Sequence, residues 1–113
     1  MQHPVKLINY SKSALVHGTV LRLPGQWPYE ELVDFMVFDM PDDEHPSGLI
    51  VSTGHKAGLI LVLLPKDSGF KDVRGLSTKW IIANWDKWIY PECDVNDVYI
   101  IEKYIATPIN ISE

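Results

Sequence analysis

The densest group of ionisable side chains in the chain is Asp39, Asp42, Asp43 and Glu44, four acids within six residues, followed by His45 and Pro46. Carboxylates this close suit a hard cation such as Ca²⁺ or Mg²⁺. The stretch lacks the alternating acids and the glycine of a calcium loop. It therefore reads as a solvated loop or as an acidic patch that meets a basic partner. Cys93 and four histidines, His3, His17, His45 and His55, are the other reactive types. A Cys–His pair would make a nucleophile, and two histidines such as His17 and His55 would make an acid and a base for RNA cleavage. No spacing links any of these residues, so Cys93 reads as an ordinary buried or edge thiol and His17 as a packed or edge histidine. Ser52 and Ser68 carry no local signal of a nucleophile. Gly54 to Gly58 reads Gly-His-Lys-Ala-Gly. A phosphate loop needs a longer glycine spacing, a Lys-Ser/Thr pair and a following helix whose N–H groups converge on the anion. Here an apolar strand pattern follows. The two-histidine zinc helix and the Gly-x-Ser-x-Gly elbow are missing as well. These patterns give no sign of catalysis, metal or cofactor.

Composition sharpens that reading. The chain has 113 residues, 46 % hydrophobic and 22 % charged, with net charge −5. That is enough apolar material for one core without staples. An acidic balance opposes direct nucleic-acid binding, where cations must replace counterions. It suits a basic protein partner, and it also keeps a protein soluble. One cysteine permits no internal disulfide and no cysteine zinc cluster. Met1 to Asn9 does not read as a signal peptide, and Leu59 to Leu64 is too short an apolar run to span a bilayer. The expected location is the cytoplasm.

The elements that must position these residues centre on Ser77 to Pro91, which holds three of the four tryptophans. Ser77 or Thr78 is the expected N-cap. Ile81, Trp85, Trp88 and Ile89 recur at helical intervals on one apolar face, and Pro91 stops the helix. Trp80 lies at the edge of the stripe and reads as core or as surface.

Strand patterns surround this helix. Val5 and Leu7 suggest a short edge strand. Ala14 to Leu23 reads as one strand in which Gly18 marks a bulge or a close approach. Pro24 to Pro28 is a turn. Tyr29 to Val33 suggests a helical turn, with Glu30 and Glu31 at its start. Asp34 to Met40 reads as a strand. Gly48–Thr53 and Leu59–Leu64 form a hairpin, the second run apolar on both parities as in a central strand covered on both faces. Pro65 to Leu76 is a surface connection from which Phe70 and Val73 fold back onto the core. Val98 to Ile105 is the last strand, and residues 107–113 a tail. The sum is an α+β fold in one domain spanning residues 1–113. Its sheet is mainly antiparallel, of five or six strands, with the Trp-rich helix packed on one face.

Three stretches in combination carry a resemblance: Val20 to Phe38, Val51-Ser-Thr-Gly-His-Lys-Ala-Gly-Leu-Ile-Leu-Val62, and Leu76 to Pro91. Over roughly Val20 to Ile101 the chain resembles the bacterial immunity protein 45 family. The resemblance implies a cytoplasmic, non-enzymatic antidote. Such a protein binds the cognate toxin domain of a polymorphic or contact-dependent delivery system, a nuclease by expectation, and blocks it. It implies no particular site residues. Physical reasoning supplies them: Glu30, Glu31, Asp39, Asp42, Asp43 and Glu44 for a field that attracts a basic toxin, and Trp27, Tyr29 and Trp80 as aromatic anchors. The competing readings are a small hydrolase or ribonuclease and a housekeeping interaction module.

Overall fold

The computed structural model of the protein describes residues 4–109. In chain order the elements are β1 (Val5–Lys6), β2 (Ala14–Leu15), β3 (Val20–Pro24), β4 (Leu32–Asp39), β5 (Ser47–Val51), β6 (Ile60–Leu64), β7 (Leu76–Ser77), α1 (Thr78–Ala83) and β8 (Tyr99–Ile101). Six strands form one antiparallel sheet in the order β1-β8-β3-β4-β5-β6, while β2 and β7 pair separately. The fold is α+β, as expected from the strand patterns and the single Trp-rich helix.

One face of the main sheet carries the core. Leu21 and Leu23 of β3, Val33, Phe35 and Val37 of β4, and Leu49 of β5 are almost fully buried there. The β2/β7 pair contributes Leu15 and Leu76 to the same cluster, and the helical segment contributes Ile81, Trp85 and Ile89. Tyr29, Phe35 and Tyr90 meet edge to face with ring centroids 5.7–6.0 Å apart, an arrangement favoured by the ring quadrupoles.

The helical segment differs from a plain α-helix. Ser77 caps it, its Oγ accepting from the Trp80 N–H at 3.2 Å. The α-helix ends at Ala83, and the chain continues in a wider π turn over Trp85–Ile89, closed by Tyr90 N–H to Trp85 O at 3.1 Å. A π turn bonds i to i+5 and shifts the apolar stripe expected from a 3.6-residue period. Trp85 and Ile89 share the buried side, and Trp88 is 36 % exposed. Trp80 is half-buried and packs on Trp88, centroids 5.9 Å apart.

Five other expectations need correction. Ala14 to Leu23 is two strands in two sheets. Gly18 takes φ +86°, and Gly18 N–H and Thr19 O both bond Val37, two residues against one. Such a bulge bends the strand, and here it carries the chain from the small sheet into the large one. Tyr29 to Val33 is not helical: Gly25 N–H bonds Glu31 O, and Leu32 already pairs with Pro24. Strand β6 is an edge, not a central strand; Leu61, Val62 and Leu64 pack on the core, while Ile60 and Leu63 lie on the other side across a register shift. Val73 is exposed, while Phe70 is half-buried. The final strand stops at Ile101, and the chain from Glu102 to Ile109 is exposed. The rest of the expected tail, residues 110–113, and His3 lie outside the described residues.

Candidate functional site

The acids singled out in the sequence fall into two groups at opposite ends of β4. Its eight residues, Leu32–Asp39, span about 24 Å at 3.4 Å per residue. Glu30 and Glu31 lie beside Leu32, in the loop that carries Trp27. Asp42, Asp43 and Glu44 lie in the loop beyond Asp39. The structure therefore does not bring the two groups together.

At the first end, Gln26 ties the loop to the chain after the helix: its N–H donates to Tyr90 Oη at 3.0 Å, and its Nε2 to Glu92 O at 3.3 Å. Trp27 stands free, 92 % exposed. Tyr29 is half-buried against Phe35 and Tyr90, and burial pushes its phenol pKa up. Glu30 lies 2.6 Å from His55 Nδ1 and accepts from the His55 N–H at 3.3 Å. The His55 hydrogen bond holds the Glu30 carboxyl below the usual carboxylate range. Gly54, φ +75°, sits directly against this carboxylate, where a side chain would collide with it. The Gly-His-Lys-Ala-Gly turn thus holds a carboxylate.

At the second end the loop closes on itself through Met40 N–H to Pro46 O at 2.9 Å. Asp39 is partly neutralised: Arg74 Nε lies 3.4 Å and His17 Nδ1 3.3 Å from its Oδ2. Asp42 accepts from the Glu44 N–H at 2.9 Å and stands 3.9 Å from His45. Asp43 and Glu44 are exposed.

Between the two ends lies the second face of the sheet. Cross-strand partners share a face, so the register lays out its rows. One row runs Lys6, Tyr99, Arg22, Asp34. The next runs Ile101, Val20, Met36, Ile50, Ile60 across five strands. A third holds Phe38, Gly48 and Leu63. The Phe38 ring lies over Gly48, 2.8 Å from where a Cβ would stand, so glycine makes room for it. The α-helical segment packs on the other side, leaving Met36, Ile50 and Leu63 half-buried and Ile60 56 % exposed.

A polar network is set into this face, and sequence reasoning missed it. Arg22 Nε and Nη2 donate to Asp34 Oδ1 and Oδ2 at 2.7 and 2.8 Å, a bidentate pair. The Asp34 side chain is 1 % exposed and that of Arg22 40 %. Tyr104 reaches back over the face and donates to Asp34 Oδ2 at 2.7 Å, with Ser52 Oγ 2.7 Å from the same hydroxyl. Burial, then the bond to Asp34, pushes the Tyr104 phenol pKa up to about 12. Thr53 Oγ1 accepts from the Asp34 N–H at 2.9 Å. The available signal was one charge inside each of two neighbouring apolar strands, Arg22 and Asp34, spaced so that a hairpin sets them opposite. Beside Arg22 a shallow cavity of about 490 Å³ is lined by Pro4, Pro24, Leu32, Tyr99 and Ile101.

The other reactive residues are quiet. Cys93 is buried, burial raises its pKa, and its backbone carbonyl accepts from Trp85 Nε1 at 2.9 Å. His17 and His55 each face a different carboxylate. Among the described residues no three His, Cys, Asp or Glu side chains converge on a metal position, and no helix is long and apolar enough to cross a membrane.

The architecture is that of a small α+β domain whose prominent exposed features are surfaces: an uncovered sheet face and acidic ends. The sequence model of the family Immunity protein 45 matches residues 7–100. The chain belongs to that family, which gives it an immunity role and implies a toxin as its partner. The match starts before the Val20 to Ile101 stretch on which the sequence resemblance rests. Neither the curated proteins nor the solved structures contain a match.

Proposed function

We propose that this protein is a cytoplasmic, non-enzymatic antidote that binds a basic toxin domain, a nuclease of a contact-dependent or polymorphic delivery system, and blocks it by covering its surface. The observation that carries this reading beyond family membership is charge: net −5, with exposed carboxylates at both ends of β4. A nuclease must attract polyanions and is correspondingly basic, so complementary potentials accelerate the encounter and reject wrong partners. Trp27, the most exposed of the proposed anchors, supplies apolar contact area beside Glu30 and Glu31. Tyr29 contributes through its half-exposed edge, whereas Trp80 packs on Trp88 on the helical side and is not counted among the anchors.

The test is co-expression with the toxin domain encoded beside the gene. Rescue of growth and co-purification of the two chains are expected. No rescue, or ribonuclease or hydrolase activity of the purified protein alone, overturns the reading. Charge then reports on mechanism. D42K/D43K, which leaves Asp39 and its Arg74 contact in place, is expected to slow association about tenfold at low salt. The difference should fade near 0.5 M salt, where the Debye length falls to about 4 Å. An unchanged association rate removes the loop from the steering field.

A further inference from the structure

We propose that the toxin docks on the uncovered face of the main sheet, centred on the cavity beside Arg22, with the two acidic ends of β4 forming its rim. This rests on the toxin-binding reading above and adds where the partner sits and what chemistry it presents. The partner contributes an apolar side chain that fills the cavity between Leu32, Tyr99 and Ile101, and basic side chains on either side of it.

Three observations converge. The first is composition. The row Ile101, Val20, Met36, Ile50, Ile60 is apolar across five strands; Val20 is buried beneath its neighbours, while Ile60 and, at the margin, Leu32 are 56 % and 55 % exposed. Antiparallel sheets commonly leave one face to water, and that face is then polar. This one sets an apolar row and an apolar-lined cavity beside its polar network, which marks an interaction surface. The second is size. Five strands at about 4.8 Å and the length of β4 give a patch of about 19 by 24 Å. That is at most about 460 Å², a little over half of the roughly 800 Å² per partner of a standard interface, and the Trp27 loop adjoins it. The cavity is large enough for one anchor side chain, as at interface centres. The third is charge. Both ends of β4 are acidic, so a second copy laid face to face with its β4 along the first, parallel or antiparallel, sets acid on acid. A basic partner meets favourable charge at both ends.

The Arg22–Asp34–Tyr104 network fits this placement. It satisfies a buried carboxylate within the patch, and Arg22 is only partly buried, at the cavity wall. The floor of the site is fixed before binding, which lowers the ordering cost of association.

The experiment is calorimetric titration of the full chain against the neighbouring toxin domain, using exposed positions so that the variants remain folded. Leu32→Arg, at the cavity, is expected to weaken binding about 30-fold or more, the scale of central anchors, and Ile60→Arg, at the far edge of the patch, about fivefold. Trp88→Ala, on the helical side, should change it less than about threefold, as non-anchor positions do. Matching thermal unfolding of the Leu32→Arg and Ile60→Arg variants confirms that binding alone was lost. Tight wild-type binding that both arginine variants retain overturns the docking face and leaves the toxin reading standing. A wild-type chain that does not bind the toxin removes both. Sedimentation of the free chain supplies the other outcome: a dimer that Leu32→Arg converts to monomer assigns the face to a second copy and overturns the proposal.

Discussion

The two faces of the six-stranded sheet are built on different chemistry. The covered face is aliphatic and aromatic: Leu21, Phe35, Val37 and Leu49 meet Ile81 and Trp85, and the one indole N–H among them goes to a backbone carbonyl. The open face mixes apolar rows with a buried carboxylate held by Arg22 and Tyr104. The covered face excludes water at no polar cost, so it carries the stability. The open face keeps a polar network whose worth depends on every partner being in place. Substitutions on the two faces should therefore differ in size and in kind.

The largest effect belongs to the covered face. Trp85→Ala removes a 1 % exposed indole and orphans the Cys93 carbonyl. It is expected to cost about 3–5 kcal/mol, a large share of the roughly 5–15 kcal/mol that holds a domain folded. Urea unfolding measures it. A loss below about 1 kcal/mol, the size of an ordinary surface change, breaks the comparison, because the open face would then share the load.

Next is the open-face ion pair. Arg22→Met leaves the Asp34 carboxylate buried without its cation and is expected to cost about 3 kcal/mol. That is the low end for a buried pair, because Arg22 itself is 40 % exposed and water replaces part of its contribution. The double replacement Arg22→Met with Asp34→Leu should recover most of the loss, since removing both partners avoids a stranded charge. If the double variant is as unstable as the sum of the single ones, the pair is not a closed unit and the contrast between the faces weakens.

The covered face was the legible one. Apolar spacing located Trp85 and Ile89, Ser77 is one of the two caps the sequence offered, and the β5/β6 hairpin followed from two apolar runs with a glycine-bearing link. Periodicity misled where backbone geometry departed from the regular: the π turn displaced Trp88, and the Gly18 bulge cut one strand pattern in two. The apolar parities of Leu59 to Leu64 implied cover on both sides. The sequence carries that pattern equally well for a strand at a sheet edge with an uncovered second face. The open face was illegible because its parts are far apart in the chain. Arg22, Asp34, Ser52 and Tyr104 converge only through the register of β3, β4, β5 and β8. The acidic residues were legible as charges, but their separation by the length of β4 was not. The cavity beside Arg22 draws Pro4 from before the first strand, a contact that no local pattern encodes.

The finest test of the comparison is the Tyr104 hydroxyl, which links the exposed chain after β8 to the open face. Tyr104→Phe keeps the ring and removes the donor to Asp34, at an expected cost of about 1 kcal/mol near neutral pH. The pH dependence identifies the cause. The Tyr104 phenol pKa is pushed up to about 12, above an ordinary value near 10, so the folded state favours the neutral phenol. Its contribution is fully present below about pH 10 and is lost as pH rises through 12. Tyr10, pushed up to about 12 by burial and by Glu102, loosens over the same range. Wild type and variant share Tyr10, so their difference isolates Tyr104. Urea midpoints at pH 8 and pH 11 should therefore lie further apart for wild type than for the Tyr104→Phe variant. If the two proteins lose stability equally between those values, the hydroxyl is not a working part of the open-face network. Tyr104 would then belong with the exposed segment around it.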